Sequence, residues 1–158
     1  MTMKRLTLLF CLLLCTPALA QFWGHYANAR FGYEIDVPPD FEGNGESDNG
    51  DGQVFSNLAG EQGLQVWGGE LSETLGEEAA TAIDQLTRDR WVLSAQVSSP
   101  RWAQFSAQRD HRIVQQRMIL LCDGASFAAF RLEHNIADLG RLDSVLSGLE
   151  RSFQAQAC

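Results

Sequence analysis

Two cysteines and three histidines are the side chains best suited to nucleophilic or metal chemistry after residue 20. The histidines, His25, His111 and His134, are far apart in sequence, and none stands at metal-ligand spacing from another or from a cysteine. Cys122 could serve as a nucleophile beside a histidine base, but Cys158 offers it a second thiol. Two cysteines in an exported chain indicate one structural disulfide. We therefore predict a Cys122–Cys158 disulfide rather than a catalytic thiol.

Other arrangements that could carry chemistry are weaker. In the hairpin described below, His134 would lie opposite Ile113 and close to His111. The two histidines could then form a metal site, or they could be ordinary polar residues at strand ends. Ser126 lacks the glycine pattern of a nucleophile elbow, and no phosphate-binding glycine motif occurs. These patterns predict no catalytic residues, no cofactor and no metal ligand.

Residues 42–52 are rich in acidic residues, glycine and asparagine, and they invite comparison with a calcium-binding loop. Counting from Asp48, Gly50 and Gly52 stand where oxygen ligands should be, and no glutamate occupies the twelfth position. The composition instead indicates a surface turn. Long loops without an apolar period often carry function, so we predict a partner-contact surface here, with the candidate residues Glu42, Glu46, Asp48, Asn49 and Asp51.

The first twenty residues have the organisation of a secretory signal peptide. Lys4 and Arg5 form a positive start, an apolar run follows over residues 6–14, and residues 18–20 read Ala-Leu-Ala. The run is shorter than the roughly 20 residues that span a bilayer, which disfavours a transmembrane anchor. A lipid-anchored Cys15 is the other alternative, and Leu14 stands where a small residue is needed. We predict cleavage after Ala20 and a periplasmic or secreted protein.

The net charge of the chain limits the classes of partner that it is expected to bind. The chain has 12 basic and 20 acidic residues, and removing Lys4 and Arg5 leaves ten arginines and a formal charge of −10. Nucleic-acid binding depends on neutralising phosphates with lysine and arginine, so this class of partner is excluded. A mature chain of residues 21–158 is long enough for one domain with a proper core, and we predict one.

The central element is predicted to be a hairpin over residues 112–134. Two runs rich in branched and aromatic residues meet at Asp123-Gly124, a pair typical of a two-residue type I′ turn. That turn predicts four opposite pairs across the two strands. They are Cys122 and Ala125, Leu120 and Phe127, Met118 and Ala129, and Gln116 and Arg131. Both faces are apolar near the turn, so these strands belong in the middle of a sheet that is covered on both sides.

The flanking segments predict more strands and two helices. The strands are residues 31–37, 53–56, 64–67, 92–97 and 102–107, each with alternating or branched residues. A capping box from Thr74 to Glu77 starts a helix over residues 75–90. A final amphipathic helix has Asp138 as its N-cap and an apolar stripe that comprises Leu139, Leu142, Val145, Leu146, Leu149 and Phe153. Trp23, Trp67 and Trp102 are expected to serve the core more than an exposed binding surface.

This order of elements predicts an α+β fold, an antiparallel sheet with helices packed on it. The chain resembles the PsbP-like fold group in four places: residues 30–38 (RFGYEIDVP), Asp51-Gly52 at the start of a strand, residues 102–107 before a long hairpin, and Ser152-Phe153 at the end of the last helix. That group includes extrinsic photosystem II proteins, a yeast Ran-binding import factor and many small exported bacterial proteins of unknown role. The resemblance implies an α/β/α sandwich over residues 21–158.

The function predicted from these observations is an exported, non-catalytic protein-interaction module whose partner is another exported or envelope protein. The alternative is a periplasmic small-ligand or metal-binding protein that uses the loop side of the sheet. An acidic chain without an activated nucleophile disfavours a hydrolase. A deep apolar cavity would favour a ligand, and an exposed aromatic surface would favour a protein partner.

Overall fold

The computed structural model describes residues 22–156 and Cys158. The predicted signal peptide, residues 1–20, lies outside this part of the chain. Ten strands and two helices follow one another, with a short 3-10 turn at Ile136–Asp138. In chain order they are β1 Gly24–Asn28, β2 Tyr33–Val37, β3 Phe41–Glu46, β4 Gly52–Asn57, β5 Gly63–Glu70, α1 Leu75–Arg88, β6 Val92–Ser99, β7 Trp102–Arg109, β8 Arg112–Leu120, β9 Ser126–Asn135, α2 Leu139–Ser152 and β10 Gln154–Ala155.

Seven strands form one antiparallel sheet in the order β3-β4-β5-β9-β8-β7-β6, and three form a small antiparallel sheet in the order β1-β2-β10. The β8–β9 hairpin is central, as its apolar faces predict. Its register is also confirmed, because Gln116 pairs with Arg131, Met118 with Ala129 and Leu120 with Phe127.

The predicted type I′ turn at the hairpin tip is wrong. A type I′ turn needs positive φ at both central residues, but only Gly124 has it, with φ of 67°. The Leu121 and Ser126 backbones instead close a four-residue turn, N–H to carbonyl oxygen at 2.9 Å. The Asp123 carboxylate accepts hydrogen bonds from the Ala125 and Ser126 amides and from the Ser126 hydroxyl. These three bonds compensate for the missing two-residue turn.

The large sheet has two apolar faces, which we call the α1 face and the α2 face. On the α1 face, Phe127 and Ala129 of β9 share a buried cluster with Leu75, Ala79 and Leu86 of α1. On the α2 face, a second cluster contains residues of β9, of β2 and of α2, including Ala128, Phe130, Tyr33, Ile35, Leu149 and Phe153. The small sheet therefore shares the cover of the α2 face with a helix, which the prediction of helices alone did not include.

Helix α1 begins as predicted. The Thr74 hydroxyl accepts from the Glu77 amide, and the Glu77 carboxylate accepts from the Thr74 amide, which completes a capping box. Helix α2 does not begin as predicted, because the Asp138 side chain makes no cap bond. Asn135 caps the preceding 3-10 turn instead, and Asp138 pairs with Arg141. Leu139, assigned to the apolar stripe, is 41% exposed because it lies in this first turn.

Three strands of the described residues were not predicted from the sequence, namely β1, β3 and the two-residue β10. Residues 41–46, expected to belong to a loop, form the edge strand β3, which pairs with β4 through an irregularity between Gly43 and Glu46. An edge strand needs hydrogen bonds on one side only and buries little, so it shows no apolar alternation. Strand β1 was not predicted either, and only Tyr26 and Asn28 of its five residues are buried. Within the described residues, no helix is long and apolar enough to cross a membrane.

Candidate functional site

None of the three histidines belongs to a group of described side chains that could hold a metal ion. His25 is exposed, and its Nδ1 lies 3.1 Å from an Asp36 carboxylate oxygen. His134 is fully buried opposite Ile113, and its Nδ1 lies 3.0 Å from the Asn135 carbonyl oxygen. Among residues 22–156 and Cys158, no three His, Cys, Asp or Glu side chains form a group that could hold a metal ion.

The two cysteines lie where the predicted disulfide requires. Cys122 at the hairpin tip and Cys158 after β10 have Cα atoms 5.2 Å apart, and their sulfurs are joined. The structure supports this bridge, and it occupies the thiol that was considered as a nucleophile. The Ser126 hydroxyl is engaged as well, because it donates to the Asp123 carboxylate at 2.7 Å.

The predicted partner-contact residues differ in whether their side chains are bonded to the rest of the fold. Glu46 is exposed, but its carboxylate accepts from the Tyr26 hydroxyl at 2.8 Å and from the Asn28 side-chain amide nitrogen at 2.9 Å. Glu42 and Asp48 point outward and are exposed. The contact role of this group stays a prediction, but Glu46 is better placed to anchor β3 than to meet a partner.

A compact turn over Ser47–Gly52 holds the rest of the loop. The Asp51 carboxylate accepts from the Ser47 hydroxyl at 2.6 Å and from the Asn49 side chain at 2.8 Å. These bonds, with that from Ser47 first, hold the pKa of Asp51 below its usual value. Arg30 donates to the Asn49 carbonyl oxygen and fixes the turn from outside. These bonds fix the conformation of the loop, which we call a shaped wall because it forms one side of the groove described next.

That wall borders a groove on the α1 face, beside strands β4 and β5. The groove has a volume of about 420 Å³, and its lining includes Asn44, Gly45, Asp51, Val54, Gln65 and Trp67. Gly52 stands opposite Trp67, and Trp67 opposite Ala129, which places the groove on the face that α1 covers farther along the sheet. A Cβ on Gly52 would lie 1.9 Å from the Val66 carbonyl oxygen, so glycine is needed for the strands to approach here.

An arginine lies beside the groove, next to two of its lining residues. Arg131 pairs with Gln65 across β5 and β9, and its guanidinium lies over the Trp67 ring, 5.7 Å from the centroid. Its Nε donates to the Gln116 Oε1 at 2.8 Å, and Gln116 is 1% exposed. Burial lowers the pKa of Arg131, although the charges of Glu133 and Asp89 oppose that shift.

The terminal nitrogens of Arg131 are unoccupied by protein acceptors. Within the described residues, Arg131 makes no ion pair within 4 Å, and its only hydrogen bond goes to Gln116. Nη1 and Nη2 are not among the buried atoms that lack a partner, so they face solvent. The Gln116 Nε2 is buried and has no partner. The Arg131 guanidinium therefore presents free hydrogen-bond donors and a positive charge beside Trp67, a residue that lines the groove.

A second arginine cluster of the same composition lies on the opposite face. Arg117 lies over the Trp102 ring, 4.8 Å from the centroid, and its Nη1 donates to the Gln104 Oε1 at 2.8 Å. The Gln104 Nε2 then donates to the Glu150 carboxylate of α2 at 2.6 Å. The acidic side chain of Glu150 is therefore bonded to the Arg117 cluster through Gln104. Among the described residues, no acidic side chain is bonded to the Arg131 cluster in this way.

The sequence analysis missed Arg131 as a site residue, although it paired Arg131 with Gln116. The available signal was a charged residue inside a run of apolar residues on a central strand. Trp67 was considered for a binding surface but assigned to the core. It is half-buried, with one part of its ring in the α1-face cluster and another part lining the groove.

Comparison with known proteins identifies the fold. No protein-family model matches the chain, and no curated protein sequence matches it either. Solved structures do match. Cyanobacterial PsbP (CyanoP) from Synechocystis sp. PCC 6803 has a TM-score of 0.66 at 15% identity, covering 89% of this chain and 96% of that one. The Saccharomyces cerevisiae Ran-binding protein Mog1p has a TM-score of 0.62 at 12% identity, covering 86% and 96%. The chain therefore has a PsbP-like fold, as its sequence motifs indicated.

Proposed function

We propose that this chain, which has a PsbP-like fold, is an exported, non-catalytic module that binds another exported or envelope protein through the groove on its α1 face. The observation that carries the proposal is the open groove itself, with a shaped loop on one side, Trp67 in its lining and the Arg131 guanidinium beside that ring. Half-buried aromatic rings and arginines are enriched at the centres of protein interfaces.

Binding is better supported than catalysis because the nucleophilic side chains considered are engaged elsewhere. Cys122 is held in a disulfide, and the Ser126 hydroxyl belongs to the hairpin turn. Both lie at the β8–β9 tip, whereas the groove is lined by the 44–54 and 65–67 segments. Groove residues contribute amide, carboxylate and indole groups, which position a ligand.

The structural neighbours support protein contact as a use of this fold. Mog1p is named as a Ran-binding protein. At 12% identity the likeness transfers no contact residue to this chain, so the groove is argued from its own geometry.

Export rests on the signal-peptide pattern of residues 1–20 and on the Cys122–Cys158 bridge, which requires an oxidising compartment to persist. Osmotic shock of expressing bacteria tests it. We expect the protein in the released fraction, with the mass of residues 21–158 less two hydrogens. Full-length protein that stays in the cytoplasm with two alkylatable thiols would refute export.

The occupant we propose is an extended segment of the partner protein, because the groove is open to solvent and bordered by the β3 edge strand. Site-specific photo-crosslinking tests it, with a photoreactive amino acid at Asn44 or Gln65 on the groove and at exposed Ser144 on α2 as the control. We expect one discrete crosslinked protein from both groove positions and none from Ser144.

Two outcomes would overturn the proposal. One is the same crosslinks from Ser144, which would indicate non-specific collisions. The other is no protein crosslink from the groove together with a small molecule that co-purifies in stoichiometric amount. That second result would assign the groove to a small ligand.

The loop can be tested separately from the rest of the groove. Asp48→Ala changes an exposed side chain with no bond to the turn, whereas Asp51→Ala removes the acceptor for Ser47 and Asn49. If the loop acts as a shaped wall, Asp51→Ala should reduce crosslinking from Asn44 and Asp48→Ala should not. Equal loss in both variants would indicate direct charge contacts, as the sequence analysis predicted.

A further inference from the structure

We infer that Arg131 is a carboxylate-binding residue, and that the partner segment in the groove presents a carboxylate group to the Nη1–Nη2 edge of its guanidinium. The inference rests on the proposed function of the groove and names the chemistry it recognises. The carboxylate is either a side chain of the segment or its C-terminus.

The geometry leaves one edge of the guanidinium for a ligand. Arginine has five N–H donors in a rigid fork, and two parallel N–H groups match the two oxygens of a carboxylate. The Nε of Arg131 is taken by the Gln116 Oε1 at 2.8 Å. The remaining edge is formed by Nη1 and Nη2, which have no protein acceptor among the described residues and are open to solvent.

Gln116 and Trp67 hold this edge in place. Gln116 is 1% exposed on a central strand, so its amide is fixed by packing, and it fixes Arg131 in turn. The guanidinium carbon of Arg131 lies over the Trp67 ring, 5.7 Å from its centroid. Gln116 is therefore a positioning residue, and Arg131 is the residue that contacts the ligand.

The charge balance around Arg131 favours an external anion. A partly desolvated cation is unfavourable unless an acidic group is near. The nearest acid along β9 is Glu133, but its carboxylate is paired with Arg112, Nε to Oε1 at 3.1 Å. The charges of Glu133 and Asp89 act on Arg131, but neither carboxylate pairs with its guanidinium, so a bound carboxylate would supply the direct ion pair that the described residues do not.

A carboxylate fits better than a phosphate. One guanidinium, that of Arg131, lies beside the groove residue Trp67, and the groove lining includes Asp51. A phosphate would bring about two negative charges at neutral pH, against one positive charge and close to another negative one. The apolar part of the lining, Val54 and Trp67, also suits a carboxylate with a hydrocarbon stem.

The experiment uses small probes on the full mature protein, with binding followed by NMR titration. N-acetylalanine carries a main-chain carboxylate, N-acetylglutamate α-amide carries a side-chain carboxylate, acetamide is the neutral control, and inorganic phosphate tests the competing anion. We expect saturable binding of at least one carboxylate probe, with acetamide and phosphate much weaker. Which carboxylate probe binds more tightly identifies the source of the group.

Arg131→Gln is the decisive variant, and Arg117→Gln is its matched control on the opposite face. We expect Arg131→Gln to weaken carboxylate binding by about 10- to 100-fold, the range for one charge-assisted bidentate contact, and Arg117→Gln to change it by less than about twofold. If Arg131→Gln does not fold, Arg131→Lys carries the test. It keeps the charge and loses the fork, and we expect binding several-fold weaker.

Equal affinity in wild type and Arg131→Gln would overturn the inference, as would an equal loss in Arg117→Gln or a preference for phosphate. Crosslinking separates this failure from failure of the proposed function. A partner that still crosslinks at Asn44 in the Arg131→Gln protein shows that the groove docks a protein without this contact. No crosslink from Asn44 in wild type refutes the docking role itself.

Discussion

Two clusters of arginine, glutamine and tryptophan lie on opposite faces of one sheet. Arg117, on the α2 face, stacks on Trp102 and bonds to Gln104. Arg131, on the α1 face, stacks on Trp67 and bonds to Gln116. The residue types are the same. The two clusters differ in the part of the fold that packs against each of them.

On the α2 face, the covering helix α2 contributes an acidic side chain. Glu150 of α2 accepts from Gln104, so the chain Arg117–Gln104–Glu150 ends in a charge of opposite sign. On the α1 face, helix α1 covers the β6–β8 side and leaves the β4–β5 side as a groove. The same arginine cluster is therefore structural where a layer covers it and available for binding where none does.

The largest effect on stability should come from the bridge that ties down the covered face. Replacing both Cys122 and Cys158 by serine opens a loop with a sequence separation of 36 residues. The chain-entropy relation then predicts a loss of about 4 kcal/mol in the free energy of unfolding. Carboxylate affinity should stay unchanged under conditions where the variant is folded, because the bridge holds the chain end after β10. Urea unfolding and probe titration check the two parts, and a lost affinity with native stability would break the comparison.

The floor of the groove should be the next most sensitive feature. Gly52→Ala places a Cβ 1.9 Å from a backbone oxygen of β5, and we expect a cost of about 1–3 kcal/mol together with weaker probe binding. Gly63→Ala is the matched control on β5, because nothing lies within 4 Å of its Cβ position. Thermal unfolding measures both. Equal destabilisation of the two variants would show that close strand approach at Gly52 is unimportant.

The acid that closes the Arg117 cluster should have a smaller effect. Glu150→Ala leaves the Gln104 Nε2 without its acceptor, and we expect a loss of about 1 kcal/mol in unfolding free energy and no change at the groove. Asp143→Ala, an exposed site on the same helix, should be neutral within about 0.5 kcal/mol. Chemical denaturation of the two variants compares them. A neutral Glu150→Ala would mean that Arg117 needs no acid, and the contrast between the faces would lose its basis.

The smallest effect concerns Asp51 in the groove wall. Its pKa is lowered in the folded state, first by the Ser47 hydroxyl, so its charged form stabilises the fold above its ordinary pKa, and this stabilisation is lost as the pH falls through the lowered value. Asp51→Asn should therefore cost less than about 1 kcal/mol near neutral pH, and the difference from wild type should vanish under strongly acidic conditions. Carboxylate affinity should rise slightly, because a negative charge leaves the groove. A constant difference in stability across pH would show that the charge is not the cause.

Sequence patterns predicted the parts of this fold that bury regular faces. The β8–β9 register was predicted from a turn centred on Asp123-Gly124, and it holds although the turn is longer than predicted, while α1 follows from the capping box at Thr74 and a helical apolar period. Both signals are local.

The parts that were missed depend on tertiary context. Strand β3 is held by pairing with β4, and its sequence FEGNGE shows turn chemistry alone. The start of α2 changed because Arg141 and Gln62 reach Asp138 and Asn135 takes the capping role. The carboxylate site could not be read from sequence, because Arg117 and Arg131 look alike until the layer above each is known.

The most direct test of that contrast observes the guanidinium groups themselves. Nitrogen-labelled arginine side chains would be followed by NMR while acetate is added at constant ionic strength, with Arg131→Gln and Arg117→Gln spectra assigning the two signals and acetamide as the neutral control. The account predicts that the Nη signals of Arg131 shift along a saturable curve, while those of Arg117 do not move. Equal shifts in both, or a shift of Arg117 alone, would contradict the claim that the uncovered arginine is the binding group.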